Sequence, residues 1–367
     1  MKRLLSLFYL SYFALVGVYV IFMPKVLTQL GYTKAEVGII YTAAPFMRFL
    51  LPFIFKYYVA LTQRVYLFAL VSTVITGIIF LLTVDNFYLY LFANVLLGAS
   101  MGVTLPFVET IALYQLSKKT YGKVRLWGSV GFILIALWLG KVLNNPYETL
   151  YYLLGTALAT LTFGYQVLQY DQHDTVEGQR DDKQFDVAKF WAFWISVFLM
   201  QMAFGGFYNF FTIYETERGF SLEITSWMWA FGVLCEIVML YFQGALLQRN
   251  LLTILKISVL ITAFRWLLLY LYPSTLWIVF ASQSLHAVSF ALYHSAAITY
   301  VFSLYTQKKL AQQFLLGMGF GLGAAVGALL SGQIYGEYIF LIEAVITLGA
   351  WEMLRVHEKR RENILNT

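Results

Sequence analysis

Apolar runs of about twenty or more residues, separated by short polar breaks, repeat from one end of the chain to the other. A helix that crosses a hydrocarbon core of about 30 Å needs roughly 20 residues, and tilt accommodates more. The runs predict twelve membrane helices, over residues 5–30, 35–59, 65–83, 87–116, 124–142, 148–169, 189–214, 222–246, 251–272, 275–304, 310–333 and 337–354. A strand crossing lipid needs only about 9–11 alternating residues, so runs of this length exclude a barrel. The first run starts after Met1-Lys2-Arg3 and outlasts the apolar core of a signal peptide without a small-residue cleavage site, so it is kept as a helix.

The 367 residues leave about 31 per span with its loop, too few for a soluble domain, so any cavity is built by the helices. The exception is the polar segment 171–188, which divides six spans from six. The expectation is an N-terminal six-helix bundle over 1–170, a cytoplasmic linker over 171–188 and a C-terminal six-helix bundle over 189–367.

The halves repeat. An offset of 188 residues aligns Gly31-Tyr32-Thr33 with Gly219-Phe220-Ser221, Phe92-Ala93 with Phe280-Ala281, and Gly131-Phe132 with Gly319-Phe320. Each match is short, and the constant offset across distant spans carries the argument. Two parallel repeats imply a solute site near the midplane between them. The same offset sets Arg48 against Glu236, opposite charges at equivalent places in spans 2 and 8. The fold class is thus an all-α membrane protein, twelve transmembrane helices in two pseudosymmetric bundles.

Composition agrees: 60% of residues are hydrophobic and 12% charged, against roughly 25% charge in a soluble domain. Of 25 Lys and Arg, eighteen fall on the side of both termini and four (Lys25, Lys34, Lys141, Arg218) on the other, with Arg48, Arg125 and Arg265 embedded. Both termini are therefore expected in the cytoplasm of an inner-membrane protein. The net charge of +6 then reflects topology and contact with anionic lipid, with no call for a nucleic-acid partner. The single cysteine, Cys235, excludes an intrachain disulfide and a cysteine metal site. No Gly-rich phosphate loop ending in Lys-Ser/Thr occurs, which argues against ATP as the energy source, and no cofactor is expected.

Arg48, Glu109, Glu236, Arg265, His286 and His294 lie inside the apolar runs. A charge at mid-membrane costs about 2.5–3.5 kcal/mol even on the mildest insertion scale, so such residues face a protein interior or a watery path. Glu109 lies in the cytoplasmic half of span 4 and Arg125 opens span 5, so an ion pair across that hairpin is expected, either tying two helices together or holding a polar substrate. Arginine's planar fork suits a carboxylate or two hydroxyls. Glu236 is the best proton carrier, because burial disfavours the ionised carboxyl and a nearby arginine favours it; the alternative is a static partner of Arg48 or Arg265. Arg265, midway along span 9, requires a carboxylate or carbonyl partner whatever its role.

His286 and His294, eight residues apart, stand about 80° and roughly 12 Å apart on a regular helix, which argues against a shared metal, although they could line one path. Gly317, Gly319, Gly321, Gly323 and Gly327 read as close helix packing in span 11. Most Tyr, Trp and Phe belong to lipid-facing or interfacial belts, with Tyr208 and Trp266 as candidates to stack on an aromatic solute.

The stretch Tyr121-Gly122-Lys123-Val124-Arg125-Leu126-Trp127-Gly128-Ser129-Val130-Gly131-Phe132 resembles the major facilitator superfamily, and within it the phenylpropionate permease group and its relative lactose permease. Joining it in family order are Trp229 to Glu236, Phe264-Arg265-Trp266, Gln283-Ser284-Leu285-His286, Phe290 and His294-Ser295-Ala296-Ala297. The resemblance implies the major facilitator fold and a proton-coupled symporter for a small organic solute, worked by rocking of two bundles. It also implies that Glu109 and Arg125 meet substrate while Arg265 and His286 serve proton coupling. Two features depart from lactose permease: Ser289 stands where its span 10 acid falls, and Glu236 comes about one turn later than its span 8 acid. Glu236 matches the phenylpropionate group instead. The superfamily's loop signature between spans 2 and 3 is also missing from Phe55 to Arg64.

The sequence reading is therefore a proton symporter that imports a small molecule, with Arg48, Glu109 and Arg125 binding substrate and Glu236, Arg265, His286 and His294 handling protons. An aromatic carboxylate is favoured, a sugar or nucleoside is the alternative, and a monomer is expected. Two other classes stay open: a membrane enzyme with His286 or His294 as base, and a receptor that binds without transporting.

Overall fold

A computed structural model describes residues 1–171 and 186–366, and every predicted span is helical in it. Of the predicted linker, residues 172–185 lie outside the described residues. Among the described residues ten helices are long and apolar enough to cross a membrane: Lys2–Gln29, Lys34–Phe55, Gln63–Thr83, Phe87–Gln115, Thr120–Val142, Ala188–Glu217, Leu222–Ala245, Leu251–Leu271, Leu276–Leu304 and Leu310–Gln333. They are spans 1–5 and 7–11. The two helices at the remaining predicted positions are Glu148–Val167, rich in Thr and Tyr, and Ile339–Asn366, which runs on into a charged end.

Local chemistry explains where the ends depart from expectation. The fifth helix starts at Lys118, several residues early, because Ser117 caps it by accepting from the Thr120 N–H at 3.4 Å. Span 7 is broken: its helices Trp191–Met202 and Gly205–Glu217 are joined through Ala203 and Phe204. Spans 1, 10 and 11 each contain a wide π turn, at Val18–Phe22, Ala287–Leu292 and Gly317–Gly323. Such turns insert an extra residue per turn and are frequent at functional sites.

The 188-residue repeat is visible in the backbone. Gly31 and Gly219 both take φ +96°, and no other described residue has positive φ. Around them the same bonds recur: Gly31 N–H to Thr28 C=O and Tyr32 N–H to Leu27 C=O, then Gly219 N–H to Thr216 C=O and Phe220 N–H to Glu215 C=O. This is the left-handed helix stop that glycine adopts without penalty. A hydroxyl then starts the next helix: Thr33 Oγ1 accepts from Glu36 N–H in a capping box, and Ser221 Oγ accepts from Ile224 N–H at 3.1 Å.

Two compact units result. The first comprises Met1–Gly178 with Tyr208–Ala230, the second Gln179–Phe207 with Phe231–Thr367. The division thus passes through spans 7 and 8. In the first unit span 1 packs on span 5, so closely that a Cβ on Gly131 would run into the Leu10 backbone. In the second, span 12 packs on spans 7 and 9, and a Cβ on Gly327 would sit 2.5 Å from the Met202 carbonyl oxygen. Small residues at such crossings let helix backbones approach, which is how membrane helices gain packing energy.

Candidate functional site

In the first unit the helical hairpin of spans 4 and 5 brings Glu109 and Arg125 together, Nε to Oε1 at 3.1 Å. Both side chains are partly exposed, at 30% and 31%. The Arg125 guanidinium also lies 4.2 Å from the Phe13 ring centre and 5.2 Å from that of Tyr9, both on span 1. Aromatic faces attract a guanidinium and, being flat and apolar, equally present a surface to another ring. Arg48 lies on span 2, exposed, with its stem facing span 4 at Gly102. Beside it Tyr19 donates to Asn94 Oδ1 at 2.7 Å and Tyr41 donates to the Tyr19 carbonyl at 2.8 Å, fixing spans 1, 2 and 4.

The second unit handles its arginine differently. Arg265 is fully buried. Its Nη2 donates to Gln283 Oε1 at 3.0 Å, and its Nη1 meets His286 Nδ1 at 2.9 Å and Ser289 Oγ at 3.3 Å, all from span 10. The expected carbonyl partner is therefore an amide side chain, and Ser289 fills the place of the missing acid. Phe207 and Trp266 flank the guanidinium at 4.2 and 4.6 Å. Since arginine only donates, His286 Nδ1 accepts, which leaves the proton of the neutral ring on Nε2. That nitrogen is 3.9 Å from Glu236 Oε2. Glu236, His286 and Arg265 thus form one chain of polar groups.

His294 follows them along span 10 through an aromatic stack, one ring removed from His286. His286, Phe290 and His294 stack with centres 5.1 and 6.1 Å apart and planes within 7° of each other. The 80° offset expected of a regular helix is removed because the π turn Ala287–Leu292 lies between the histidines. Trp266 is also corrected: it is fully buried, stacked on Phe340 at 5.7 Å, and unavailable to a solute. Tyr208 lies partly buried with its ring 6.4 Å from Trp229, whose Nε1–H donates to Thr212.

Two buried carboxyls escaped the sequence reading, Glu215 and Glu343, at 0% and 1% exposure. Glu343 Oε1 accepts from the Gly206 N–H and stands 3.5 Å from Ser331 Oγ. Its signal was a lone acid in the apolar run Ile339 to Ile346. Among the described residues no three His, Cys, Asp or Glu side chains converge as metal ligands would.

The model of the MFS_1 like family matches residues 3–342. The Escherichia coli (strain K12) protein called "Probable 3-phenylpropionic acid transporter" is 25% identical over 368 residues, covering 95% of this chain and 96% of that protein. A Bacillus subtilis (strain 168) protein, "Uncharacterized transporter YwbF", is 27% identical over 338 residues, 87% of this chain and 81% of its own length. Among solved structures, a mutant of the nucleoside transporter NupG superposes with a TM-score of 0.82 at 17% identity, covering 97% of this chain and 99% of that one.

Proposed function

The chain belongs to the MFS_1 like family and is a multi-pass membrane transporter, and from that membership we propose that it imports an aromatic carboxylate together with protons. The observation that carries the solute class is the Arg125 site. A planar fork able to take a carboxylate bidentately stands against two aromatic rings, with a carboxylate, Glu109, that the anion displaces. A molecule with a ring at one end and a carboxylate at the other fits that pattern. The Escherichia coli relative's name, which specifies 3-phenylpropionic acid, supports the same class.

Proton coupling rests on Glu236, placed beside His286 and, through it, Arg265. Bulk movement follows alternating access between the two repeats, in the inner membrane with both termini in the cytoplasm, the orientation favoured by the Lys and Arg bias. A sugar or nucleoside is the second reading, favoured by the Glu109–Arg125 pair itself, since an acceptor beside a fork of donors also suits vicinal hydroxyls.

Vesicles containing the purified protein decide. With acid outside, 3-phenylpropionate is expected to accumulate above its external concentration and to leave again when an uncoupler is added. Accumulation indifferent to the proton gradient would sink the coupling, and uptake of a nucleoside or sugar with no uptake of aromatic acids would move the assignment to the second reading. Chemical turnover of a solute without movement would mark an enzyme, and binding without movement a receptor.

A further inference from the structure

The start of span 7 and the far end of span 12 meet around a small recess that the transport reading leaves unused. Lys189, Trp191, His357, Arg360 and Arg361 line it. Lys189 sits in the tight turn Ala188–Phe190, Trp191 opens the first helix of span 7, and the span 12 helix runs unbroken from Ile339 to Asn366, past its predicted end at Leu354. All of these residues belong to the second unit.

Each cation here rests on an aromatic ring instead of a carboxylate. Lys189 Nζ lies 5.4 Å from the Phe190 ring centre, the Arg360 guanidinium 5.5 Å from that of Trp191, and the Arg361 guanidinium 5.8 Å from that of Tyr300 on span 10. Arg361 Nη1 also donates to the Tyr300 hydroxyl at 3.4 Å, and that hydroxyl lies 2.7 Å from His357 Nε2. Among the described residues no carboxylate pairs with any of the three cations. Glu358 is held by Lys256 at 2.7 Å, Asp186 Oδ1 accepts from the Lys189 backbone N–H at 3.1 Å, and Glu362 is exposed, as is the further cation Lys359. An aromatic face attracts a guanidinium without using up its edge donors, which an oxyanion can take two at a time. The helix Trp191–Met202 has no side-chain cap at its start, and a helix start also favours negative charge.

Depth in the bilayer points to the source of that anion. His357, Arg360 and Arg361 follow Leu354 by three to seven residues, about 5–10 Å along a helix, and the polar layer of one leaflet is about 5–8 Å deep. The membrane helix Ala188–Glu217 begins at the same recess, and its exposed Trp191 is of the residue type that settles at headgroup level. The Lys and Arg bias assigns this face to the cytoplasm, where anionic lipids attract basic clusters.

We propose that this recess binds the phosphate of an anionic phospholipid headgroup, with Arg360 and Arg361 as its donors, Lys189 as a third cation and Trp191 against the lipid's acyl chain. A lipid held there joins the start of span 7 to the end of span 12. The proposal does not depend on which solute is carried or on what drives it. Free phosphate shares the headgroup's chemistry, so the test separates the two.

Native mass spectrometry of the full chain in detergent distinguishes them by mass. One phosphatidylglycerol is expected to bind at a concentration where phosphatidylcholine with the same acyl chains leaves the protein bare. Arg360→Gln combined with Arg361→Gln is expected to weaken phosphatidylglycerol binding by roughly 10–30-fold, the effect of two charges lost at a membrane surface. Arg249→Gln combined with Lys308→Gln, which removes two exposed cations that do not line the recess, is expected to bind as wild type does. Equal losses in the two double variants would reduce the effect to diffuse charge, and equal binding of the two lipids would remove any preference for an anion; either overturns the site. Inorganic phosphate that displaces the lipid, or that binds in its place, would assign the recess to a soluble ion and overturn the lipid. A second reading needs no charge variant: at one lipid per protein, phosphatidylglycerol brominated on its acyl chains is expected to quench tryptophan fluorescence more in wild type than in Trp191→Phe. The same fractional quenching in both would place the lipid elsewhere and refute the proposal.

Discussion

The two units each hold an arginine in the apolar part of the chain, and they hold it in opposite ways. Arg125 is partly exposed and paired directly with a carboxylate at 3.1 Å, whereas Arg265 is sealed in and ringed by an amide, an imidazole and a hydroxyl. A partly exposed ion pair contributes little to stability, on the order of 0–1 kcal/mol, and so can open for a solute at small cost. A buried guanidinium surrounded by neutral acceptors cannot be released from its place, and its charge has to be balanced by acids within reach. The first arrangement suits exchange of partners, the second storage of charge.

The largest effect expected from this contrast is at the sealed arginine. Arg265→Ala strands the acceptors on span 10 and leaves the neighbouring acids without a counter-charge, a loss of about 3–5 kcal/mol that thermal unfolding in detergent would register. Arg125→Ala, measured alongside, is expected to leave the melting temperature nearly unchanged. Equal destabilisation by both would erase the distinction between the units.

Next comes a functional division. Glu236→Gln keeps the shape of the protonated acid, so solute exchange across the membrane should persist while uphill accumulation falls to equilibration. If the variant still drives proton-dependent accumulation, the proton role leaves Glu236. Arg125→Lys should do the converse: solute affinity drops by roughly 10–100-fold, or about 1.4–3 kcal/mol for a lost charge-assisted fork, while accumulation of what is bound stays coupled to protons. Affinity near the wild-type value would make the Glu109–Arg125 pair a helix tie.

The smallest effect concerns His357, beyond the predicted end of span 12. Burial, and then the Arg361 charge, push its imidazole down to about 4; its Nε2 sits 2.7 Å from the Tyr300 hydroxyl, within hydrogen-bond distance. The unfolded chain binds a proton at the ordinary histidine value near 6.5 and the folded chain resists until about 4. Stability is therefore full above about 6.5 and falls as pH drops through that window, by about 1–3 kcal/mol in total. Unfolding curves at successive pH values should show this slope in wild type and a flatter one in His357→Gln; identical slopes would mean that other groups set the acid sensitivity.

What the sequence revealed follows from the range of the forces involved. Ten of the twelve expected spans were legible because lipid demands about twenty apolar residues in succession, a local property, whereas the helices at positions 6 and 12 are more polar. The Glu109–Arg125 pair was legible because a short turn forces the two residues together. The Arg265 partners were legible only as a requirement, since which span supplies them depends on packing. The histidine stack was misjudged because nothing in Ala287 to Leu292 announces a π turn. Glu343 went unread because its meaning comes from Gly206, which lies 137 residues away and meets it only after folding.

The paired corners at Gly31 and Gly219 bear on how this molecule can be altered. Both obey one grammar, a glycine of φ +96°, an aromatic and a hydroxyl, with matching backbone bonds, and nothing lies within 4 Å of a Cβ placed at either glycine. Shape at these corners is dictated by handedness rather than crowding, so each tripeptide is a cassette whose backbone is set locally, although the Tyr32 hydroxyl also donates to the Val84 carbonyl at 2.7 Å. Exchanging the two cassettes between the halves should leave both helix joints intact, while shifting either glycine by one residue would put every side chain beyond it on the wrong face of its helix.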